Sequence, residues 1–253
     1  MRIYIPTLNR VEQQYTFNAL PQAWQAKTAL VCPPSEAADH EARGRPTLPH
    51  PADCHGIAQV RQWIVENATT DRVILADDDL RFFRRHDGKL HKATTADLEE
   101  MLAWFADALD DVHFAGLDSR YFNNARPQRY QECREQLTFL AYRRSTLLRE
   151  GIRFDDVDLM EDQHVTLSLL ERGYPNRVLC DFCFDQAKGS NAPGGCSTYR
   201  NREKQRKAAF RLWQLHKPYV SFKTSRSKSG WNGMEQRCEV RIAWKKACQR
   251  APA

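Results

Sequence analysis

The sequence contains no run of about 18 or more apolar residues, the length that a membrane-spanning helix needs. We therefore expect no transmembrane segment and no membrane partner. The chain has no internal repeat and no low-complexity tract, so a repeat protein is not indicated. It begins with a strand-like stretch, residues 2–10, rather than with a signal peptide, and we expect a cytoplasmic location.

Cysteine spacing gives no disulfide framework and no zinc motif. The eight cysteines are scattered along a chain of 253 residues, which is too large to need disulfides for stability. We therefore expect reduced thiols in a cytosolic setting. A single CxxC pair, Cys180 and Cys183, has no second pair nearby and lies on a predicted strand. Two core thiols are favoured there over a zinc site.

Acidic residues are scarce at the end of the chain. Residues 200–253 hold 15 Lys and Arg against 3 Asp and Glu, a net charge of +12, while residues 1–199 carry 23 against 29, a net of −6. Six aromatic residues alternate with these cations: Phe210, Trp213, Tyr219, Phe222, Trp231 and Trp244. The pattern suits a polyanion with exposed bases, or a solvated helix face over an ordinary core. We predict a catalytic domain at 1–199 and a basic, helical extension at 200–253 that packs on it.

Apolar runs alternate with helical patterns along the first part of the chain. Strands are predicted at 2–6, 28–32, 72–76, 113–119, 136–143 and 177–184. Helices are predicted at roughly 11–19, 56–68, 94–109, 161–173 and 199–216. Residues 33–54, rich in proline and charge, are predicted to form a long surface loop. This alternation predicts an α/β fold with a mixed, mostly parallel sheet flanked by helices.

Three consecutive aspartates, Asp77, Asp78 and Asp79, follow the continuous apolar strand 72–76. Such a strand is typical of the centre of a sheet that is covered on both faces, and ligands bind at the carboxyl ends of these strands. Three like charges at that edge repel each other unless a cation or a hydrogen-bond donor compensates them. A Mg²⁺ or Mn²⁺ ion beside phosphates would do so, and a solvated polar turn is the alternative.

Four motifs in order resemble the GT-A glycosyltransferases. They are the opening "IYIPTLNR", the helix "GIAQVRQWI", the aspartate triplet in the place of the family's Asp-X-Asp motif, and the acidic pair in "EDQHVTLSLLERGYP". With "GGCSTYR" added, the closest resemblance is to the TET-associated glycosyltransferases. That resemblance implies a GT-A-like Rossmann-type fold and sugar transfer from a nucleotide sugar onto 5-hydroxymethylcytosine, or a related hypermodified base, in phage DNA. The location would then be the host cytoplasm.

The resemblance implies a role for each aspartate. Asp79 would bind Mn²⁺ or Mg²⁺, Asp77 would lie near the nucleoside and could share the metal, and Asp78 could serve either role. The donor would be a uridine diphosphate sugar. His164 could be a further metal ligand, a donor to phosphate or acceptor, or a core histidine.

The acidic pair at 161–162 supplies the candidate for proton transfer. Asp162 would be the general base for an acceptor hydroxyl, and Glu161 would orient the loop or cap the helix. Acidic residues also favour a helix N-terminus for structural reasons alone. If the transfer retains configuration, Asp162 would position the acceptor instead.

Two further groups of residues are predicted around the donor. Thr7, Asn9 and Arg10 follow the first strand, where the nucleotide should lie, and Arg61 could pair with a phosphate or with Asp77. The loop at 194–202 would bind the diphosphate or an acceptor phosphate, or be a plain turn. Its candidate residues are Gly194, Gly195, Ser197 and Arg200.

Three functions fit these patterns. The first is the DNA-modifying glycosyltransferase, and the second is a GT-A glycosyltransferase with a carbohydrate, lipid or protein acceptor. The third is a DNA-binding protein without catalytic activity, in which the aspartates are structural.

Overall fold

The computed structural model describes residues 1–122, 126–187, 193–231 and 234–249. The strands are β1 (Arg2–Pro6), β2 (Thr28–Val31), β3 (Arg72–Ala76), β4 (Leu80–His86), β5 (Lys89–Lys92), β6 (Phe114–Ser119), β7 (Tyr130–Glu132), β8 (Phe139–Arg143), β9 (Arg177–Gln186), β10 (Val220–Trp231) and β11 (Met234–Ile242). The helices are α1 (Tyr15–Ala19), α2 (Gln22–Gln25), α3 (Pro34–Glu41), α4 (Gly56–Asn67), α5 (Thr95–Asp111), α6 (Arg144–Arg149), α7 (Glu161–Glu171), α8 (Arg202–Leu215) and α9 (Trp244–Gln249). None of these helices is long and apolar enough to cross a membrane.

A mixed nine-stranded sheet forms the centre of the described part of the chain. Its order is β2-β1-β3-β8-β6-β9-β4-β5, with β7 also paired to β9. The pairs β1–β2, β1–β3 and β6–β9 are parallel, and the other pairs are antiparallel. Following these directions through the sheet, six of the nine strands run the same way. The predicted α/β class, with a mostly parallel sheet flanked by helices, is confirmed.

The apolar run of β3 is continuous because both faces of the sheet are covered. Ile74 and Ala76 pack into a core layer that includes α5, while Val73 and Leu75 pack into a second layer with α4 and α7. Alternate residues of a strand point to opposite faces, so each face receives its own apolar set. All four side chains are fully buried. The aspartate triplet therefore begins where the sequence places it, at the end of a central strand.

Two predictions for the segments that follow β1 and β2 are wrong. The segment 33–54 is not a continuous loop, because α3 begins at Pro34, a residue whose fixed φ and missing N–H suit the first helical position. The helix predicted at 11–19 begins only at Tyr15, and α2 follows it after Pro21.

The extension after residue 199 contains more than helices. The helix α8 was predicted, but β10 and β11 form an antiparallel two-stranded sheet that was not. The alternation in "VSFKTSRS" has the period of a strand, and the basic composition concealed it. Leu212, Val220 and Ala247 are buried in the same core layer as α7, so the extension shares a core with the main sheet. The boundary at residue 199 remains a prediction.

The expectation of reduced thiols is wrong for one pair of cysteines. Cys133 and Cys248 form a disulfide that closes a sequence separation of 115 residues and ties α9 to the segment after β7. The spacing alone could not indicate it, because the two residues meet only through the packing of the extension. Cys180 and Cys183 are buried, as expected of core thiols.

Candidate active site

A cavity of about 870 Å³ opens at the carboxyl ends of β1, β2 and β3. Parallel strands end at one edge of the sheet, so the turns that follow them meet there. The first turn of α4, the segment before α7 and the 195–204 region complete its walls. Its polar lining includes Thr7, Arg10, His50, Asp77, Asp78, Asp79, Asp158, Ser197, Arg200 and Lys204. Most of the predicted site residues are therefore brought to one cavity.

Arg10 compensates two of the three aspartates. Its Nη1 lies 2.6 Å from Asp78 Oδ1 and 3.2 Å from Asp79 Oδ2. Thr7 Oγ1 donates to the second oxygen of Asp78 at 2.7 Å. A charge-assisted donor set of this kind lets adjacent carboxylates coexist in a buried place. In this structure the cation at the triplet is an arginine of the chain itself.

Asp79 is the least satisfied member of the triplet. Its side chain is buried, and its Oδ1 has no hydrogen-bond partner among the described residues. Burial, followed by the charges of Asp77 and Asp78, raises the pKa of Asp79 to about 7. A buried carboxylate oxygen without a donor costs free energy, and a cation would relieve that cost.

Arg61 joins the triplet to the acidic pair. Its Nη2 lies 2.7 Å from Asp77 Oδ1, and its Nη1 lies 2.6 Å from Glu161 Oε1. Arg61 is only 2% exposed and does not line the cavity. Of its two predicted partners, phosphate or Asp77, the structure places it on Asp77. The bridge fixes the end of β3 against the start of α7.

The acidic pair lies at the start of α7 and is not part of the cavity lining. Burial raises the pKa of Glu161 to about 7, and the Arg61 charge acts against that rise. Asp162 accepts from the Gln163 backbone N–H at 2.8 Å, and burial raises its pKa as well. Neither side chain lines the cavity, whereas Asp158, in the segment before α7, does. Sequence reasoning missed Asp158 because a lone aspartate in an irregular segment carries no pattern.

Of the three roles predicted for His164, its contacts in the structure fit the core histidine. Its Nδ1 lies 2.9 Å from His216 Nε2, and its Nε2 lies 3.5 Å from Asp156 Oδ2. His216 in turn lies 2.8 Å from Glu171. His164 does not line the cavity, because α7 turns it toward the extension. Across the described residues, no three His, Cys, Asp or Glu side chains form a cluster that could hold a metal ion by themselves.

Asn9 shapes the turn after β1 and does not line the cavity. Its backbone N–H donates to both carboxylate oxygens of Glu36, at 2.9 and 3.1 Å, and its φ is 55°. Asparagine tolerates that left-handed conformation better than most residues. Glu36 is a positioning residue that the sequence concealed, since it lies on α3 in the segment predicted to be a loop.

The 194–202 loop rests on the same turn. The Gly195 N–H donates to the Leu8 carbonyl at 2.8 Å, and Arg10 Nε donates to the Pro193 carbonyl at 3.1 Å. Ser197 and Arg200 line the cavity. The loop also carries Tyr199, which was not predicted. Its hydroxyl accepts from the Ile57 backbone N–H at 2.9 Å and closes the loop against α4.

Gly194 occupies a conformation, φ 84° and ψ 179°, that is nearly restricted to glycine. A Cβ there would lie 2.8 Å from the Leu8 carbonyl oxygen and 2.9 Å from that of Asn9. We expect Gly194→Ala to lower the free energy of unfolding by about 1–3 kcal/mol, from backbone strain and this clash. Urea unfolding measures the loss.

Gly44→Ala is the matched control for Gly194→Ala. Gly44 also has a positive φ, of 70°, but nothing lies within 4 Å of an added Cβ. Gly44→Ala should lower the free energy of unfolding through backbone strain alone, so its loss should be smaller than that of Gly194→Ala. Equal losses in the two variants would contradict the close contact between this loop and the turn after β1.

The family model and the curated relatives of this chain agree with each other. The model of the family described as TET-associated glycosyltransferase matches residues 1–195. A beta-glucosyl-HMC-alpha-glucosyl-transferase of Enterobacteria phage T2 is 28% identical over 192 residues, 69% of this chain and just under two thirds (66%) of the relative. The enzyme of the same name from Enterobacteria phage T6 is 25% identical over 244 residues, 89% of this chain and 84% of the relative.

Solved structures show the same fold at low identity. The mannosyltransferase PcManGT from Pyrobaculum calidifontis, solved with GDP-Man and Mn²⁺, has a TM-score of 0.54 at 15% identity, over 86% of this chain and 64% of that one. A mycobacterial protein has a TM-score of 0.51 at 10% identity, over 97% of this chain and 87% of that one. With the family model covering most of its length, the chain belongs to the TET-associated glycosyltransferase family, and its fold is of the GT-A type.

Proposed function

We propose that this glycosyltransferase moves a sugar from a nucleotide-sugar donor onto 5-hydroxymethylcytosine, or a related hypermodified base, in phage DNA, with a divalent cation at the donor diphosphate. The observation that carries the donor site is the meeting of Thr7, Arg10 and the aspartate triplet at one cavity edge. The acceptor is supported by the two phage relatives, whose names state transfer to glucosylated hydroxymethylcytosine.

The residues of the triplet fit a hard divalent cation. Asp79 supplies a buried carboxylate oxygen without a partner among the described residues, the kind of ligand that Mg²⁺ and Mn²⁺ prefer. A single carboxylate with phosphates is a common mode for these ions, which agrees with the lack of a cluster of three ligands in the described chain. When bound, the cation neutralises negative charge that develops on the leaving diphosphate. Asp77 is the proposed second carboxylate.

The proposed donor is a uridine diphosphate sugar. Its nucleoside fits the apolar part of the cavity, where Val31, Pro33 and Pro34 line the wall next to His50. Asp77 and Asp78 lie at the same edge and are the proposed carboxylates for a ribose, Asp78 once Arg10 has turned away from it. Thr7 and Arg10 order this edge, and Arg10 can turn from the aspartates to the diphosphate because guanidinium binds both kinds of oxygen.

Asp162 is the proposed general base. Asp162 lies close enough to Arg61 and Asp77 for their charges to act on its pKa, and the raised pKa brings the carboxylate nearer to the working range of a base. Glu161 holds Arg61 and thereby orients the start of α7. In an inverting transfer Asp162 removes the hydroxyl proton, and in a retaining one it positions the acceptor.

The acceptor hydroxyl need not leave the duplex. A hydroxymethyl group on C5 of cytosine projects into the major groove, so a cavity edge can reach it without base flipping. The reaction would take place in the cytoplasm of the infected host.

One experiment tests the donor and the acceptor together. The protein is incubated with duplex DNA that carries hydroxymethylcytosine or its glucosylated form, Mn²⁺ and a panel of nucleotide sugars, and the digested nucleosides are analysed by mass spectrometry. We expect a hexose on hydroxymethylcytosine with one donor, and its loss with chelator. Donor turnover without any DNA product, but with transfer to a carbohydrate, lipid or protein, would favour the alternative acceptor class.

A further inference from the structure

Three cations form an exposed row on α8. Lys204, Lys207 and Arg211 are all exposed, and their spacing of three and four residues places them on one face of the helix. At 1.5 Å per residue the row is about 10 Å long. We call these three residues the cationic stripe. A neighbouring face of α8 is buried through Gln205, Ala208, Ala209 and Leu212, so the helix is anchored while the stripe stays exposed.

The cationic stripe begins at the cavity. Lys204 lines the cavity together with Arg200, which precedes the helix. The row therefore leads away from the candidate active site along α8. The extension has a net charge of +12, whereas residues 1–199 have a net of −6. A polyanion would be drawn to the extension and repelled elsewhere.

The contacts that hold the stripe in the described part of the chain are exposed or long. Lys207 pairs with Glu203 at 2.7 Å, and both side chains are about two-thirds exposed. Arg211 Nε donates to the Asp156 carbonyl at 3.4 Å, and Lys204 Nζ lies 5.3 Å from the Tyr199 ring centroid. Exposed pairs of this kind contribute little to stability, so phosphates can replace these partners.

We propose that the cationic stripe is the track on which the phosphate backbone of the acceptor DNA lies and by which its strand is led to the cavity. The proposal rests on the DNA acceptor of the proposed function and adds the surface that holds it. One strand of duplex DNA carries a phosphate about every 3.4 Å of axis, so a row of about 10 Å spans about three phosphates. Such contacts fix the register of the duplex and carry no sequence information.

A double variant tests the track. In Lys207→Gln/Arg211→Gln two exposed charges are lost, while Lys204 and the cavity lining stay intact. The matched control, Lys89→Gln/Lys92→Gln, removes two exposed charges from β5, whose residues do not line the cavity. Fluorescence anisotropy with a hydroxymethylated duplex is measured across a salt series.

Log affinity decreases with log salt, and the magnitude of this slope should be about 1.8 smaller in the test variant than in wild type. Each lost phosphate contact removes about 0.9 from the magnitude. The control should keep the wild-type slope and affinity. Transfer onto free 5-hydroxymethyl-2′-deoxycytidine should stay at the wild-type rate in both variants, and both should unfold at the wild-type temperature.

The failures are distinguishable. If wild-type protein glycosylates hydroxymethylated DNA but the test variant keeps its slope, the track is wrong and the proposed function stands. If wild-type protein neither binds nor glycosylates DNA that carries hydroxymethylcytosine or its glucosylated form, the DNA acceptor fails and the track fails with it. Loss of binding to anionic phospholipid vesicles, with DNA binding unchanged, would assign the stripe to a membrane surface and overturn the proposal.

Discussion

Asp79→Asn is expected to lower the rate of sugar transfer at least about a hundredfold while the protein stays folded. The substitution keeps the shape of the side chain but removes the charge that a divalent cation needs, and lost stabilisation of a leaving diphosphate has effects of this size. Asp79 Oδ1 is buried without a partner in the described chain, so the substitution breaks no hydrogen bond of that atom. The free energy of unfolding of the variant should therefore not fall. Nucleoside mass spectrometry and urea unfolding measure the two quantities.

Asp87→Asn is the control for Asp79→Asn. Asp87 is exposed between β4 and β5 with a φ of 47°, a conformation that asparagine adopts readily, and should have wild-type activity. Donor affinity should also depend on Mn²⁺ in wild-type protein and not in Asp79→Asn. Transfer by Asp79→Asn within about threefold of wild type would remove the triplet from the proposed mechanism.

Arg61→Met is expected to have the largest effect on stability, a loss of about 3–5 kcal/mol near pH 8. Arg61 is 2% exposed and is the ionic partner of Glu161 and Asp77, so its removal leaves a buried carboxylate without compensation. A methionine of similar length fills the space, which separates the charge from the packing. Urea unfolding at pH 5.5 and pH 8 measures the loss.

The loss should be smaller at pH 5.5 than at pH 8. Burial raises the pKa of Glu161 to about 7 from an ordinary value of 4.5, even with Arg61 present, and without Arg61 it rises further. The folded variant then binds a proton that the unfolded chain releases, so its stability falls as pH rises through this range. At pH 5.5 the neutral carboxyl needs no partner.

The double variant Arg61→Met/Glu161→Gln separates charge from packing. It should regain about 2 kcal/mol relative to Arg61→Met at pH 8 and lose most of the pH dependence, because the buried charge is gone. The single variant Glu161→Gln should keep the Asp77 partner of Arg61 and lose less than Arg61→Met. Equal losses of Arg61→Met at the two pH values would show that Glu161 is not the residue left uncompensated.

Local patterns placed the elements that carry the site. The apolar run 72–76, the helical spacing after Gly56 and the acidic start of α7 are each visible within a short window of sequence. The structure shows β3, α4 and α7 at those places. These elements were predictable because periodicity follows from burial, and burial of a short segment depends mainly on its own residues. The position of Asp77, Asp78 and Asp79 at the end of β3 followed from the same pattern.

Partners across the chain were not predictable in this way. Arg10 meets Asp78 and Asp79 over 68 and 69 residues of sequence, Arg61 meets Glu161 over 100, and His164 meets His216 over 52. No window of sequence contains both members of such a pair. The sequence predicted that a cation or a hydrogen-bond donor compensates the triplet. In the structure Arg10 pairs with Asp78 and Asp79, although it was predicted only to line the donor site.

The sequence by itself determined the family, the α/β class and the edge of the sheet at which the cavity opens, because these depend on apolar periodicity and on motifs within short segments. Tertiary structure alone decided which side chains share that edge: Glu36 through α3, Asp158 beside α7 and Lys204 at the start of the cationic stripe. It also turned His164 away from the cavity and joined Cys133 to Cys248. The physical reason is that ion pairs, hydrogen bonds and disulfides act over a few ångströms of space, and the packing of distant segments sets those distances.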